Sequence, residues 1–173
     1  TYKQRIPWLL LLMISATFTG RIIGSFEAAL SAYIVLNQYI PMLMDTGGNA
    51  GGQASVTIIR GLSLNEIEFM DVWKVVWKEI RVALLCGLSL ALANFAKLLL
   101  FDHLDMAVAA VVCITLVVAV LIAKVIGCTL PMGAKLLGFD PAVMASPFIT
   151  TIVDALSLIA YFSIATRLLH LNA

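Results

Sequence analysis

The fold class expected of this chain is an all-α integral membrane protein with five transmembrane helices. Hydrophobic residues make up 62% of the 173 and charged residues only 12%, against about 45–50% and about 25% in an ordinary soluble domain. Mean hydropathy is +1.03. Five stretches also reach the roughly 20 mainly apolar residues that a helix needs to cross the hydrocarbon core. The lipid bilayer is therefore the first partner. A net charge of +1 and a pI near 7.7 carry no bias toward nucleic acid, which is not expected as a partner.

The first span runs from Ile6 to about Glu27 and opens on Pro7 and Trp8, which suit a helix start at the membrane interface. The second, from about Ala29 to Leu62, is too long for a simple crossing. Its length, Pro41 and the Gly47-Gly48 pair predict a kinked or broken second helix. Ahead of the third span, Phe69, Trp73, Val76, Trp77 and Ile80 fall at helical spacing while Glu66, Asp71, Lys74 and Lys78 fill the other face. That pattern predicts a cytoplasmic, interfacial amphipathic helix. Asn65, with Glu68 three residues on, resembles a capping box at its start. The remaining spans are Lys78 to Phe101, Met106 to Leu130 and Pro141 to Leu169.

No repeat or low-complexity segment divides residues 1–173, which read as a single transmembrane domain. The chain opens on Thr1 and lacks the pattern of a secretory leader, so it is expected to be the membrane part of a longer protein. Lys3, Arg5, Arg60, Lys74, Lys78, Arg81 and Lys135 gather on one side of the spans, against mainly Lys97 and Arg167 on the other. The positive-inside rule then puts the N-terminus in the cytoplasm and, after five crossings, the C-terminus outside. Arg21 and Lys124 fit this pattern less well, and snorkelling toward opposite interfaces would accommodate them. Cys86, Cys113 and Cys128 lie in apolar runs without metal or redox spacing and read as small buried hydrophobes. His103 and His170 read as interfacial polar residues.

Span two holds the most expensive sequence in the chain, PMLMDTGGNAGGQASVTIIRG from Pro41 to Gly61. A carboxylate at bilayer depth costs roughly 2.5–3.5 kcal/mol on insertion scales, and irregular backbone there needs protein or water to satisfy it. Asn37, Pro41, Asp45, Asn49, Gln53 and Thr57 recur at every fourth position, a polar stripe that drapes slowly around a helix. Such a stripe can line a pathway for an ion or small solute, with Gly48, Asn49 and Gln53 as lining candidates. The alternative is that the glycines let helices pack closely while Asn49 and Gln53 bond across the interface.

Span five carries a second stripe of Thr150, Asp154, Ser157 and Tyr161, in which Asp154 is the only charge. An ionised carboxylate there needs water, a cation or a partner, and an intramembrane carboxylate marks a functional site by default. Ser146, beside Pro147, offers a further oxygen where a disrupted first turn would expose it. Oxygen donors without clustered His or thiolate favour a hard cation. Mg²⁺ sheds water reluctantly and uses one or two carboxylates. A single Asp154 repeated across a twofold axis would suit hydrated Mg²⁺, although Mn²⁺ and Co²⁺ fit the same donors.

At these residues the chain resembles the MgtE-type magnesium channels. The resemblance lies in Pro41-x-x-x-Asp45-x-Gly47-Gly48-Asn49-x-Gly51-x-Gln53 leading to Arg60-Gly61. It continues in Asp140-Pro141-Ala142 followed by Pro147-Phe148-Ile149-Thr150-Thr151-Ile152-Val153-Asp154. It implies a homodimer in the cell membrane with five transmembrane helices per subunit. The second and fifth helices of both subunits would line one pore that conducts Mg²⁺ and other divalent cations. Asp154 stands where that family has its main pore carboxylate, with Thr150 and Ser157 on the same helix. Asp140 stands where an acidic residue contributes to a further, gating metal site, Asp45 belongs to the first motif, and Ser146 stands where some members carry Asn. Family members normally place cytosolic sensor domains ahead of the membrane part, and none is present here. Gly20 and Gly24 have the spacing of a helix-packing pair.

Three other readings remain open on the residues alone. A Na⁺- or H⁺-coupled divalent cation transporter also uses broken helices and midplane carboxylates. An intramembrane aspartyl protease would use Asp45 and Asp154 as a dyad, but Ile152-Val153 stands where that chemistry expects a Gly-x-Gly motif. A purely structural membrane protein would tolerate loss of Asp154. With no phosphate-binding loop, nucleophile elbow or zinc motif, nothing argues positively for an enzyme.

Overall fold

The computed structural model describes residues 2–26, 31 and 33–170, with backbone alone at 3–5, 8 and 143–147. Among the described residues there are five α-helices and no strand: α1 (Tyr2–Ser25), α2 (Ile40–Ser63), α3 (Val72–Leu100), α4 (Met106–Leu136) and α5 (Pro141–Leu168). Short 3-10 turns at Ile34–Tyr39 and Phe69–Asp71 lead into α2 and α3. Glu27, Ala29 and Leu30, at the expected junction of the first two spans, lie outside the described residues.

The helix ends follow from local chemistry. Asp105 and Asp140 are N-caps whose carboxylates accept the backbone N–H of Ala107 at 3.0 Å and of Ala142 at 2.9 Å, each satisfying a donor left unpaired in the first turn. Pro41 and Pro141 sit in first turns, where the missing N–H costs nothing. Gly138, at φ +77, closes α4, with Phe139 N–H on the Ala134 carbonyl at 2.9 Å, the paired bonding of a left-handed helix stop. Asn65, at φ 56, ends α2 in the same way, with Glu66 N–H on the Gly61 carbonyl at 2.9 Å.

Asn65 is therefore a helix stop and not a start, which corrects the capping box expected at Asn65–Glu68. The box falls at Glu68–Asp71, where the Glu68 N–H donates to Asp71 Oδ2 at 3.3 Å. The amphipathic stretch beyond it is helical and continues without a break into the third span as α3. In the second segment, 3-10 geometry gives way to α at Ile40, and Gly47 to Gly52 all lie within α2.

Three described segments are apolar and long enough to cross a membrane: Phe69–Leu100, Met106–Leu136 and Phe148–Leu168. The apolar run of α1, Leu9–Ser25, is shorter, and α2 spans about 36 Å at 1.5 Å per residue but is broken up by polar side chains.

The most buried helix, α4, packs against α2, α3 and α5; α2 also packs on α5, and α1 lies along α5. Small residues set these approaches. A Cβ on Gly87 would stand 3.3 Å from the Val117 Cα, so α3 meets α4 through that glycine. Cys86, one position around α3, is exposed. This corrects its reading as a buried hydrophobe, which holds for Cys113 and Cys128. His103 and His170 are exposed in left-handed backbone just beyond α3 and α5.

Candidate functional site

Where α2 crosses α5, the glycines divide by face. A Cβ on Gly47 would lie 2.9 Å from Val153 Cγ1, and one on Gly51 would lie 2.8 Å from Ile149 Cγ2 and 3.1 Å from the Ala123 carbonyl. These two positions have room only for hydrogen, and they bring α2 against α5 and α4. One residue further round the helix, Gly52 meets nothing within 4 Å, and Gly48 would reach only Thr150 Cγ2 at 3.8 Å. The close-packing reading of the glycine cluster thus holds for Gly47 and Gly51, while Gly48 and Gly52, about 100° further round the helix, are left open.

The side of Gly48 and Gly52 opens on a groove of about 1580 Å³ between α2 and α5. From α2 it receives Pro41, Asp45, Asn49, Gln53, Thr57 and Arg60; from α5 it receives Thr150 and Asp154. Apart from Asn37, which is exposed in the preceding 3-10 turn, the whole four-residue stripe of span two faces this space. Successive positions four apart advance only about 40° around a helix. That is slow enough for five of them to stay on one side.

Within the groove, Asn49 Nδ2 donates to Asp45 Oδ2 at 3.1 Å, and the Thr57 hydroxyl donates to the Gln53 carbonyl at 3.0 Å. Asp154 is half-buried, and among the described residues its carboxylate has neither a hydrogen bond nor an ion pair. Asp45 and Asp154 are the carboxylates of the lining. The other polar groups are the amides and hydroxyls, which add oxygen donors without thiolate or imidazole, and the Arg60 guanidinium, which offers none. Among the described residues no cluster of three or more His, Cys, Asp or Glu could hold a metal ion. Such a lining can hold a hard cation through its water shell better than it can strip and chelate one.

Two expected residues stand elsewhere. Asp140 is exposed at the N-cap of α5, two residues before Ala142, which does line the groove. Ser157 is buried, its Oγ 3.4 Å from where a Gly47 Cβ would stand, on the helix contact and not in the groove. The stripe of span five thus turns from groove to interior along its length, and Tyr161 ends it by donating to the Leu36 carbonyl at 3.0 Å. The Ser146 side chain lies outside the described residues.

Sequence reasoning missed Glu79. It is 8% exposed, and Lys124, 7% exposed, faces it at 3.6 Å. This pairing replaces the snorkelling expected of Lys124. A lone cation deep in span four was the available signal, since a charge there needs a partner.

A family described as "Divalent cation transporter", MgtE, matches residues 40–164, which include every groove-lining residue named above. The magnesium transporter MgtE of Thermus thermophilus is 36% identical over 169 residues, 98% of this chain and 37% of that protein. Its counterpart in Bacillus subtilis is 32% identical over 167 residues, 96% of this chain and again 37% of the relative. That of Enterococcus faecalis is 29% identical over 97% of this chain. The chain thus spans 37% of the length of these relatives.

Proposed function

The chain belongs to the MgtE family of divalent cation transporters, and from that premise we propose that it is the membrane domain of a magnesium channel. Hydrated Mg²⁺ would pass down its electrochemical gradient into the cytoplasm through a pore built on the groove between α2 and α5. The observation that carries this reading is the half-buried Asp154, without a partner among the described residues, in a groove whose facing wall is the Asp45–Asn49–Gln53 stripe.

In this reading two chains close the groove around a twofold axis, so that both copies of Asp154 face one ion. Each carboxylate accepts hydrogen bonds from the ion's water shell, which avoids the cost of dehydrating Mg²⁺. Thr150, Gly48, Asn49 and Gln53 would line the path, Ser146 would stand at its α5 wall, Ser157 stays on the helix contact with Gly47, and Asp140 would serve a metal site at the cytoplasmic end. The N-terminus would be cytoplasmic, the membrane that of the cell surface, and sensor domains would precede this part in the full-length protein. The length of the relatives supports that last point.

The test is Mg²⁺ influx into proteoliposomes under an inside-negative potential, comparing this chain with Asp154→Asn and repeating both with Ca²⁺ and Mn²⁺. Potential-driven Mg²⁺ flux that is lost in the variant is the expected result. Undiminished flux removes Asp154 from its role, and flux that requires a Na⁺ or H⁺ gradient replaces the channel with a coupled carrier.

A further inference from the structure

Next to the groove lies a second, open cleft of about 520 Å³ between α2, α3 and α4. Asn49 and Gln53 border both spaces, so two amide side chains form the partition. The second cleft also receives Lys124 from α4, with Cys86 and Ser89 from α3. Lys124 is more than nine-tenths buried, and its nearest counter-charge, Glu79 Oε2, is 3.6 Å away, too far for a hydrogen bond. Among the described residues Glu79 Oε2 is buried with no hydrogen-bond partner. An ammonium has three N–H groups to satisfy, and a buried ion pair is tolerated only when hydrogen bonds complete it. Lys124 borders this space, which can supply those bonds. The cleft is wide enough for several waters and, beside Leu85, Leu90 and Val120, presents an ammonium, two amides and two hydroxyls to bind them.

We propose that this cleft is a hydrated side chamber adjoining the groove at Asn49 and Gln53, and that the Glu79–Lys124 pair sets its electrostatic potential and so the cation occupancy of the groove. The second half rests on the reading of the groove as a cation pathway. With both charges present the chamber is near neutral. Removing Glu79 leaves an ammonium behind the partition, which repels a divalent cation; removing Lys124 leaves a carboxylate, which attracts one. A pair that served only to hold α3 against α4 would give the same sign of effect from either side.

Cys86 is the probe. In a Cys113→Ala, Cys128→Ala background it is the only thiol, and methanethiosulfonate reagents react with thiolate in water. The rates of Cys86 modification by a cationic and an anionic reagent are compared in reconstituted protein. Modification by both is expected, with the cationic-to-anionic ratio falling severalfold in Glu79→Gln and rising severalfold in Lys124→Met. The exchanged pair, Glu79→Lys with Lys124→Glu, keeps an ion pair for folding while placing a carboxylate on the chamber wall, and the ratio rises there too. No reaction at Cys86, or one ratio in all the proteins that fold, overturns the chamber. Mg²⁺ influx should fall in Glu79→Gln and hold or rise in Lys124→Met. Loss in both, with the ratios shifting as stated, overturns the link to the groove. Shifted ratios in a parent chain that conducts no cation overturn the cation-pathway reading and leave the chamber standing.

Discussion

Asn49 and Asp45 are joined across one turn of α2, with the amide donating to the carboxylate at 3.1 Å on the wall of the groove. The bond engages one carboxylate oxygen, and among the described residues the second has no hydrogen bond. Exposed i, i+4 pairs of this kind contribute only about 0.2–0.5 kcal/mol. Asn49→Ala should leave the thermal midpoint in detergent nearly unchanged while Mg²⁺ influx drops severalfold, because Asp45 is freed to rotate and a donor is lost from the path. Unaltered influx would take Asn49 out of the pathway.

Neighbouring glycines should respond oppositely to the same substitution. Gly51→Ala places a methyl group 2.8 Å from Ile149 Cγ2 and 3.1 Å from the Ala123 carbonyl, and overpacking of this kind costs typically about 1–3 kcal/mol. Gly52→Ala meets nothing within 4 Å and gains up to about 1 kcal/mol of helix propensity. Thermal unfolding in detergent should therefore separate the two, with Gly51→Ala lower and Gly52→Ala equal to or above the parent. Equal midpoints would mean that α2 and α4 do not meet at Gly51.

The separation of those two glycines was not legible in the sequence, which shows the cluster but not which face meets a neighbour. What could be read was whatever a local rule fixes: an all-helical membrane protein from hydropathy, and a polar side of α2 from the fourfold spacing of Asp45, Asn49 and Gln53. Asn65 was misread because an Asn before a helix and an Asn ending one look alike until the backbone sign is known. Ser157 was placed on a common stripe with Asp154, yet the crossing with α2 buries it against Gly47. The Glu79–Lys124 pair joins residues 45 positions apart, a contact set by the packing of α3 on α4 and invisible to any local pattern.

Acid should loosen the loop between α3 and α4. The Lys97 ammonium donates to Asp102 Oδ2 at 2.7 Å and the Tyr39 hydroxyl donates to the same oxygen at 2.9 Å. These bonds, that from Lys97 first, hold the Asp102 carboxyl below the usual carboxylate range. A carboxyl depressed in the folded state contributes stability that is present above its unfolded pKa, about 3.9, and lost as pH falls through the folded value. Below about pH 4 the midpoint of the parent should therefore fall more steeply than that of Asp102→Asn. The effect is small because the carboxyl is exposed to solvent. Parallel curves would show that the contact does not persist in solution.

Two hydroxyls on one face of α5 should prove energetically opposite. Tyr161 and Leu36 are both fully buried, and the phenol donates to the Leu36 carbonyl at 3.0 Å. Tyr161→Phe keeps the ring and its packing but removes a buried hydrogen bond, at a cost of about 0.5–1.5 kcal/mol. The carbonyl belongs to the 3-10 turn that leads into α2, so the substitution should also loosen the end of the groove at Pro41 and lower Mg²⁺ influx. Ser157, one turn earlier, has a buried Oγ with no partner among the described residues, and it already carries the desolvation cost that Tyr161 avoids. Ser157→Ala removes that cost and should match or exceed the parent in thermal midpoint with influx unchanged, since the side chain faces Gly47 and not the groove. A clear loss of influx in Ser157→Ala without loss of stability would instead put its hydroxyl in the ion path, and the α2–α5 crossing would then have to open at Gly47 during conduction.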